Sequence, residues 1–181
     1  MPVSVFVGVS VDGFLARKNG ALDFLPPNGG EPHGYDEFMK SIDAIVIGRN
    51  TFEVVLGFGG WAYGKKRVVV LSSRPLDFSA VRGGNVEQMS GEPKEIVARL
   101  AATDAKHLYV DGGITVQRFL RAGLVDRLTV TRVPVLIGEG IPLFDSLPGD
   151  IHLSHIATTS YKSGLVKSEY SVGAATLRMP S

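Results

Sequence analysis

Short apolar, β-branched runs that end in glycine- or hydroxyl-rich turns and give way to segments of helical period most restrict how this chain can fold. Val3 to Val9, Ala44 to Gly48, Arg67 to Leu71 and His107 to Val110 are near-continuous apolar runs, the pattern of strands buried on both faces. Between them lie helical segments. Tyr35 to Ser41, with Ile42 just beyond, sets Tyr35, Phe38, Met39 and Ile42 on one side, and Arg49 to Leu56 follows a strand directly. Pro93 to Ala102 starts on proline and presents Ile96, Val97, Leu100 and Ala101 on its apolar face. A further helix from about Ile114 to Ala122 stops at Gly123. Asn85 to Met89 and Arg127 to Leu136 add strands, and His152 to Tyr161 with Leu165 to Val172 flank Lys162-Ser163-Gly164 as an antiparallel hairpin. This alternation predicts an α/β fold: a central sheet of about eight strands, helices on both faces and a C-terminal hairpin. The stretches Ser10 to Gly20 and Leu25 to Gly34 read as long loops, and Ala174 to Ser181 as a loosely held tail.

Length and composition narrow the classes of function. At 181 residues the chain suits one domain spanning 1–181. Nineteen Lys and Arg against eighteen Asp and Glu, with no basic block, give no footprint for nucleic acid or an anionic membrane surface. The absence of cysteine excludes a disulfide framework and a thiolate nucleophile. His33, His107, His152 and His155 are too scattered for a ligand cluster, so no metal is expected. The N-terminal Met1-Pro2-Val3-Ser4 enters a strand pattern directly and does not read as a signal peptide, which makes the cytoplasm the expected location.

The chain is rich in backbone punctuation, with 22 glycines and 10 prolines, and two glycine clusters imitate known nucleotide loops. Gly57-Phe58-Gly59-Gly60-Trp61-Ala62 satisfies G-x-G-x-x-[G/A], but a basic turn and a strand follow where the pyrophosphate would need a helix N-terminus. Gly59 to Lys66 approaches a P-loop, yet Lys66 stands where a magnesium-binding hydroxyl belongs. Both read as a surface turn. More informative are three strand ends with groups suited to phosphate: Gly48-Arg49-Asn50-Thr51, Ser72-Ser73-Arg74 and Asp111-Gly112-Gly113. In a parallel sheet such ends share one edge, where helix N-termini, hydroxyls and arginine forks can meet an extended anionic ligand. Each also has a purely local reading, Thr51 as a helix cap, Ser72 and Ser73 as turn formers and Gly113 as a tight turn.

The order of these motifs resembles the dihydrofolate reductase superfamily. The resemblance rests on Ser10-Val11-Asp12-Gly13-Phe14-Leu15-Ala16, Asp43 to Glu53, Val70 to Pro75 and Tyr109 to Gly113. Two later runs, Gly123 to Leu128 and Thr131 to Phe144, are closer to the reductase domain of the bifunctional riboflavin-biosynthesis deaminase-reductase. The resemblance implies a dihydrofolate-reductase-like three-layer fold with a mixed sheet, NADPH as hydride donor, a small-molecule substrate and a homodimer. It places Gly48, Arg49, Asn50, Thr51, Asp111, Gly112, Gly113, Ile114 and Thr115 along the adenosine and pyrophosphate, and Leu71, Ser72, Ser73 and Arg74 at the ribose 2′-phosphate. Gly8, Val9, Leu15 and Ala16 would border the nicotinamide, and Thr131 and Arg132 the substrate. Where folate reductases carry a carboxylate in the first helix, this chain has Gly34 or Tyr35, with Asp36 and Glu37 adjacent as candidate catalytic acids or as groups favouring the helix N-terminus. The expected activity is reduction of a small heterocycle or a phosphoribosylamino-pyrimidine. A pteridine or carbonyl reductase and a non-catalytic NADPH-binding regulator are the alternatives.

Overall fold

The computed structural model describes residues 1–27 and 30–177. In chain order the elements open with β1 (Val3–Ser10), β2 (Phe14–Ala16), α1 (Tyr35–Ser41), β3 (Ala44–Gly48), α2 (Arg49–Leu56), β4 (Arg67–Leu71) and β5 (Asn85–Met89). They continue with α3 (Pro93–Ala101), β6 (Leu108–Asp111), α4 (Gly113–Arg121), β7 (Arg127–Val133), β8 (Ile141–Pro142), β9 (Gly149–Ser160) and β10 (Val166–Leu177). Eight strands form a mixed sheet in the order β5-β4-β3-β6-β1-β7-β10-β9, parallel from β5 to β7 and antiparallel through the final hairpin. Parallel neighbours need crossovers, and the helical segments supply them on both faces.

Strand alternation sorts the core into two layers. Val3, Val5, Val7 and Val9 of β1 join Ile96 and Leu100 of α3 and Val116, Phe119 and Leu120 of α4 on one face. Phe6, Ile45, Ile47, Val68, Val70 and Tyr109 join Phe52 and Val55 of α2 on the other, where Tyr35, Phe38 and Met39 of α1 also pack. Phe6 stacks on Phe38 with ring centroids 4.9 Å apart, and Tyr109 meets Phe38 edge-on at 5.0 Å. The C-terminal ends of β3, β4 and β6 therefore open along one edge of the sheet, with α2 and α4 starting there.

Three details depart from the sequence reading. The strand expected to reach Leu136 stops at Val133, because Pro134 cannot donate to the ladder. The loops after β1 and β7 contain a second, two-stranded antiparallel sheet, β2 with β8. Nothing in three and two residues signals a strand by periodicity. The hairpin is longer than expected at both ends, so Ala174 to Leu177 belong to β10, and the rest of the anticipated tail, 178–181, lies outside the described residues, as do Asn28 and Gly29 of the expected long loop. Among the described residues no helix is long and apolar enough to cross a membrane.

Phe119 has no exposed surface and anchors α4 to the sheet. Phe119→Ala should lower the unfolding free energy by about 3–5 kcal/mol in urea titrations, the usual cost of emptying a buried aromatic site.

Candidate functional site

A cavity of about 510 Å³ runs along the open strand ends. Gly48, Arg49, Asn50 and Thr51 line one wall, Leu71 to Arg74 the floor at the end of β4, and Ile114 and Thr115 the wall on α4. Two of the three segments singled out in the sequence thus share one space with the first turn of α4, whereas Asp111, Gly112 and Gly113 of the third are not part of its lining. Ser90, Gly91, Glu92 and Arg118 also line it. These four had no motif to announce them, although Arg118 lies one helical turn after Ile114 and Thr115, so the period of α4 carried a signal for it.

The helices around the cavity differ in how their N-termini are finished. The start of α3 is closed by a capping box between Glu92 and Glu95. By contrast, α2 and α4 begin after Gly48 and Gly112, and neither has a side-chain cap. Their first N–H groups and the positive ends of their dipoles are left for an anion. The glycines also let the two helix starts approach. A Cβ on Gly48 would lie 2.8 Å from Thr115 Oγ1, and one on Gly112 would overlap Thr51 Oγ1 outright. Gly112 further requires a φ of +93°, which other residues rarely adopt.

Three arginines surround this space. Arg49 is held by Glu53 at 2.8 Å, and Arg118 donates to the Gly91 carbonyl at 3.2 Å with Glu92 at 3.8 Å. Arg74 makes no side-chain hydrogen bond or ion pair among the described residues, and its guanidinium and the exposed Ser73 form the free tip of the loop after β4. Ser72 behaves differently. Its hydroxyl donates to the Arg74 carbonyl at 2.7 Å and accepts from the Arg74 N–H at 3.2 Å, so its proton is spent on the turn. Gln88 locks the same turn by donating to the carbonyls of Ser72 and Arg74.

Beyond the cavity, the small sheet covers the start of α4. A Cβ on Gly113 would lie 3.0 Å from Ile141 and 3.4 Å from Leu15, and Gln117 donates to the Pro142 carbonyl at 3.0 Å. Leu15 thereby sits beside Gly113 and Ala16 pairs with Ile141 against Gly140, while the Val9 side chain points into the core beneath α4. The Asp12 carboxylate accepts from the backbone N–H groups of Ile137 and Gly138, tying the two covering loops together.

On the α1 side the expected acids are not brought inward. Asp36 and Glu37 lie exposed on the first turn of α1, whose inward positions are Tyr35, Phe38 and Met39. The enclosed acid is Asp111, at the end of β6. The residue keeps some surface, but its carboxyl is enclosed, and burial raises its pKa above the ordinary aspartate value. The Gly112 N–H at 2.8 Å and the hydroxyls of Tyr109 and Tyr63 pull the other way without cancelling that shift. Burial and the Asp111 charge in turn push the Tyr35 phenol up to about 12. Thr131 and Arg132, expected together at the substrate, are separated, because adjacent strand residues face opposite ways. Thr131 pairs with Gly8 and is buried, whereas Arg132 pairs with Val9 and is exposed.

Two substitutions test this geometry. Gly112→Ala should cost at least about 1–3 kcal/mol of stability in urea unfolding, since both the dihedral and the Thr51 overlap oppose it. For Asp111, the folded protein binds more protons than the unfolded chain between the ordinary aspartate pKa near 4 and its raised folded value. Its contribution to stability therefore falls as pH rises through that window. Asp111→Asn should abolish the fall, so its stability relative to the parent should increase with pH across the window and then level.

Comparison with known proteins agrees with this arrangement. The RibD C-terminal domain family matches residues 2–167. The uncharacterized Bacillus subtilis protein YwjB is 28% identical over 152 residues, covering 82% of this chain and 86% of its own length. A crystal structure of a Shewanella sp. PV-4 protein, provisionally assigned to riboflavin biosynthesis, superposes with a TM-score of 0.85 at 33% identity, over 96% of this chain and 99% of that one. Enterococcus faecalis dihydrofolate reductase, complexed with NADP(H), shares the fold alone: TM-score 0.64 at 20% identity, with 96% of each chain covered. The three-layer architecture is thus dihydrofolate-reductase-like, and the chain belongs to the RibD C-terminal domain family.

Proposed function

We propose that this chain is an NADPH-dependent reductase that transfers a hydride to a small heterocyclic or phosphoribosylamino-pyrimidine substrate. The observation that carries this reading is the cavity in which two uncapped helix N-termini meet beside an unpaired arginine. Backbone amides of this kind suit a pyrophosphate, and a free guanidinium next to a hydroxyl suits a further phosphate on the ribose. A bound NADPH would supply the hydride. The N-termini of α2 and α4 would hold its pyrophosphate, Ser73 and Arg74 its 2′-phosphate, and Leu15 and Ala16 would shield the reacting end from water. Hydride addition to an imine or carbonyl also needs a proton, and the proposal assigns it to the Asp111 carboxyl, whose burial raises its pKa.

Membership of the RibD C-terminal family favours a pyrimidine over a pterin, and so does the lack of an inward carboxylate on α1. A Thermotoga maritima protein of the same fold is described as a diaminohydroxyphosphoribosylaminopyrimidine deaminase and 5-amino-6-(5-phosphoribosylamino)uracil reductase, and superposes with a TM-score of 0.70 at 14% identity. The proposed protein acts in the cytoplasm as a homodimer. For the dimer, the support is β9, a twelve-residue strand that among the described residues pairs only with β10 and is exposed from His152 to Ser160.

Titration of NADPH fluorescence provides the test. The parent should bind NADPH more tightly than NADH, and Ser73→Ala with Arg74→Ala should cost roughly tenfold to a hundredfold for NADPH and little for NADH, as expected for lost hydrogen bonds to a charged group. Absence of binding, or equal affinity for the two nucleotides, would falsify the cofactor assignment. Tight NADPH binding with no turnover across pyrimidines, pterins and carbonyls would instead identify a binding protein.

A further inference from the structure

The α1 side of the sheet contains a row of three residues on adjacent strands: Gly8 of β1, Thr131 of β7 and Lys167 of β10. Each member is unusual for a sheet interior. Gly8 carries no side chain where its strand neighbours on this face do, and the tip of Leu25 fills the space, within 3.3 Å of where a Cβ would stand. Thr131 is 4% exposed, and its Oγ1 has no hydrogen-bond partner among the described residues. A buried hydroxyl without a partner costs free energy, and isosteric valine would avoid that cost on a strand. Lys167 has a side chain only 13% exposed. Its ammonium donates to the His33 carbonyl at 2.9 Å and faces Glu169 at 3.2 Å, which occupies two of its three donors.

An orphan hydroxyl and a sheltered ammonium in one row, roofed by a loop rather than a core helix, are the makings of a polar subsite. We infer that Thr131 and Lys167 form a recognition site for the ring carbonyl oxygen of a cyclic imide or lactam, with Gly8 providing room for the ring once Leu25 withdraws. Lys167 donates its remaining N–H to that oxygen, and the Thr131 hydroxyl donates a second hydrogen bond or accepts from the adjacent ring N–H. Glu169, on the same side of β10 as Lys167, holds the ammonium in place through their ion pair. The subsite deepens the reductase reading by assigning the heterocycle's polar edge to β7 and β10, and it rests on that reading for its role in turnover.

The test uses the full chain with 5,6-diaminouracil as the imide probe, measured by calorimetry with and without NADPH. Thr131→Val should weaken the probe about tenfold, and Lys167→Met roughly tenfold to a hundredfold, with Lys167→Arg recovering part of the loss and NADPH affinity unchanged throughout. Thr131→Val should also raise the melting temperature or leave it unchanged, because the hydroxyl is idle in the free protein. No binding of the probe to the parent at millimolar concentration, unchanged affinity in both Thr131→Val and Lys167→Met, or a lower melting temperature for Thr131→Val overturns the subsite. If the probe binds and responds to these substitutions while the parent fails to bind NADPH, the subsite stands and the reductase reading falls.

Discussion

Two absent side chains organise the cavity edge of this molecule. Because Gly48 and Gly112 carry no Cβ, the starts of α2 and α4 can interlock, each glycine seated against a threonine of the opposite helix. Strand pairing then fixes the separation of the two helices, since β3 and β6 are direct neighbours and run in parallel. The result is a concentration of unsatisfied N–H groups at a point where the sheet has run out and solvent or a ligand must satisfy them. The apolar layers beneath hold these helices in place but do not specify the chemistry above them.

The two faces of the sheet divide the labour. Beneath α3 and α4 the packing is nearly all aliphatic, with the buried Phe119 among it, and it supplies a base for the cavity edge. Under α1 and α2 the packing is aromatic and carries polar handles: Tyr35, Tyr63, Tyr109, Asp111, Thr131 and Lys167. Burial raises the pKa values of the three tyrosines and Asp111, and the Thr131 hydroxyl lacks a partner among the described residues, so this face holds the polar groups whose burial is least compensated.

Much of the architecture was legible in the chain because doubly buried parallel strands write themselves as unbroken apolar runs. The β3, β4 and α2 boundaries match the sequence reading residue for residue. The cavity wall from Gly48 to Thr51 and the turn from Ser72 to Arg74 were legible for a related reason, since glycine and hydroxyl residues at strand ends mark tight turns and close helix starts locally. What stayed hidden depends on distance in the chain. Asp111 acquires its character from the burial of its carboxyl, and Lys167 its anchor from the His33 carbonyl, long-range circumstances that no local pattern announces. Asp36 and Glu37 drew attention through their place on a helix, which by itself does not say which way a side chain turns. The β2 and β8 pair was too short for its alternation to register.

The turn after β4 has a consequence for how such a site changes over evolution. Ser72 and Gln88 hold the backbone of this turn from within, so its shape does not depend on whatever side chain stands at its tip. Positions 73 and 74 are therefore free to vary without disturbing the sheet. A lineage could change what this tip presents to the cavity through those two residues alone, keeping scaffold and helix starts intact.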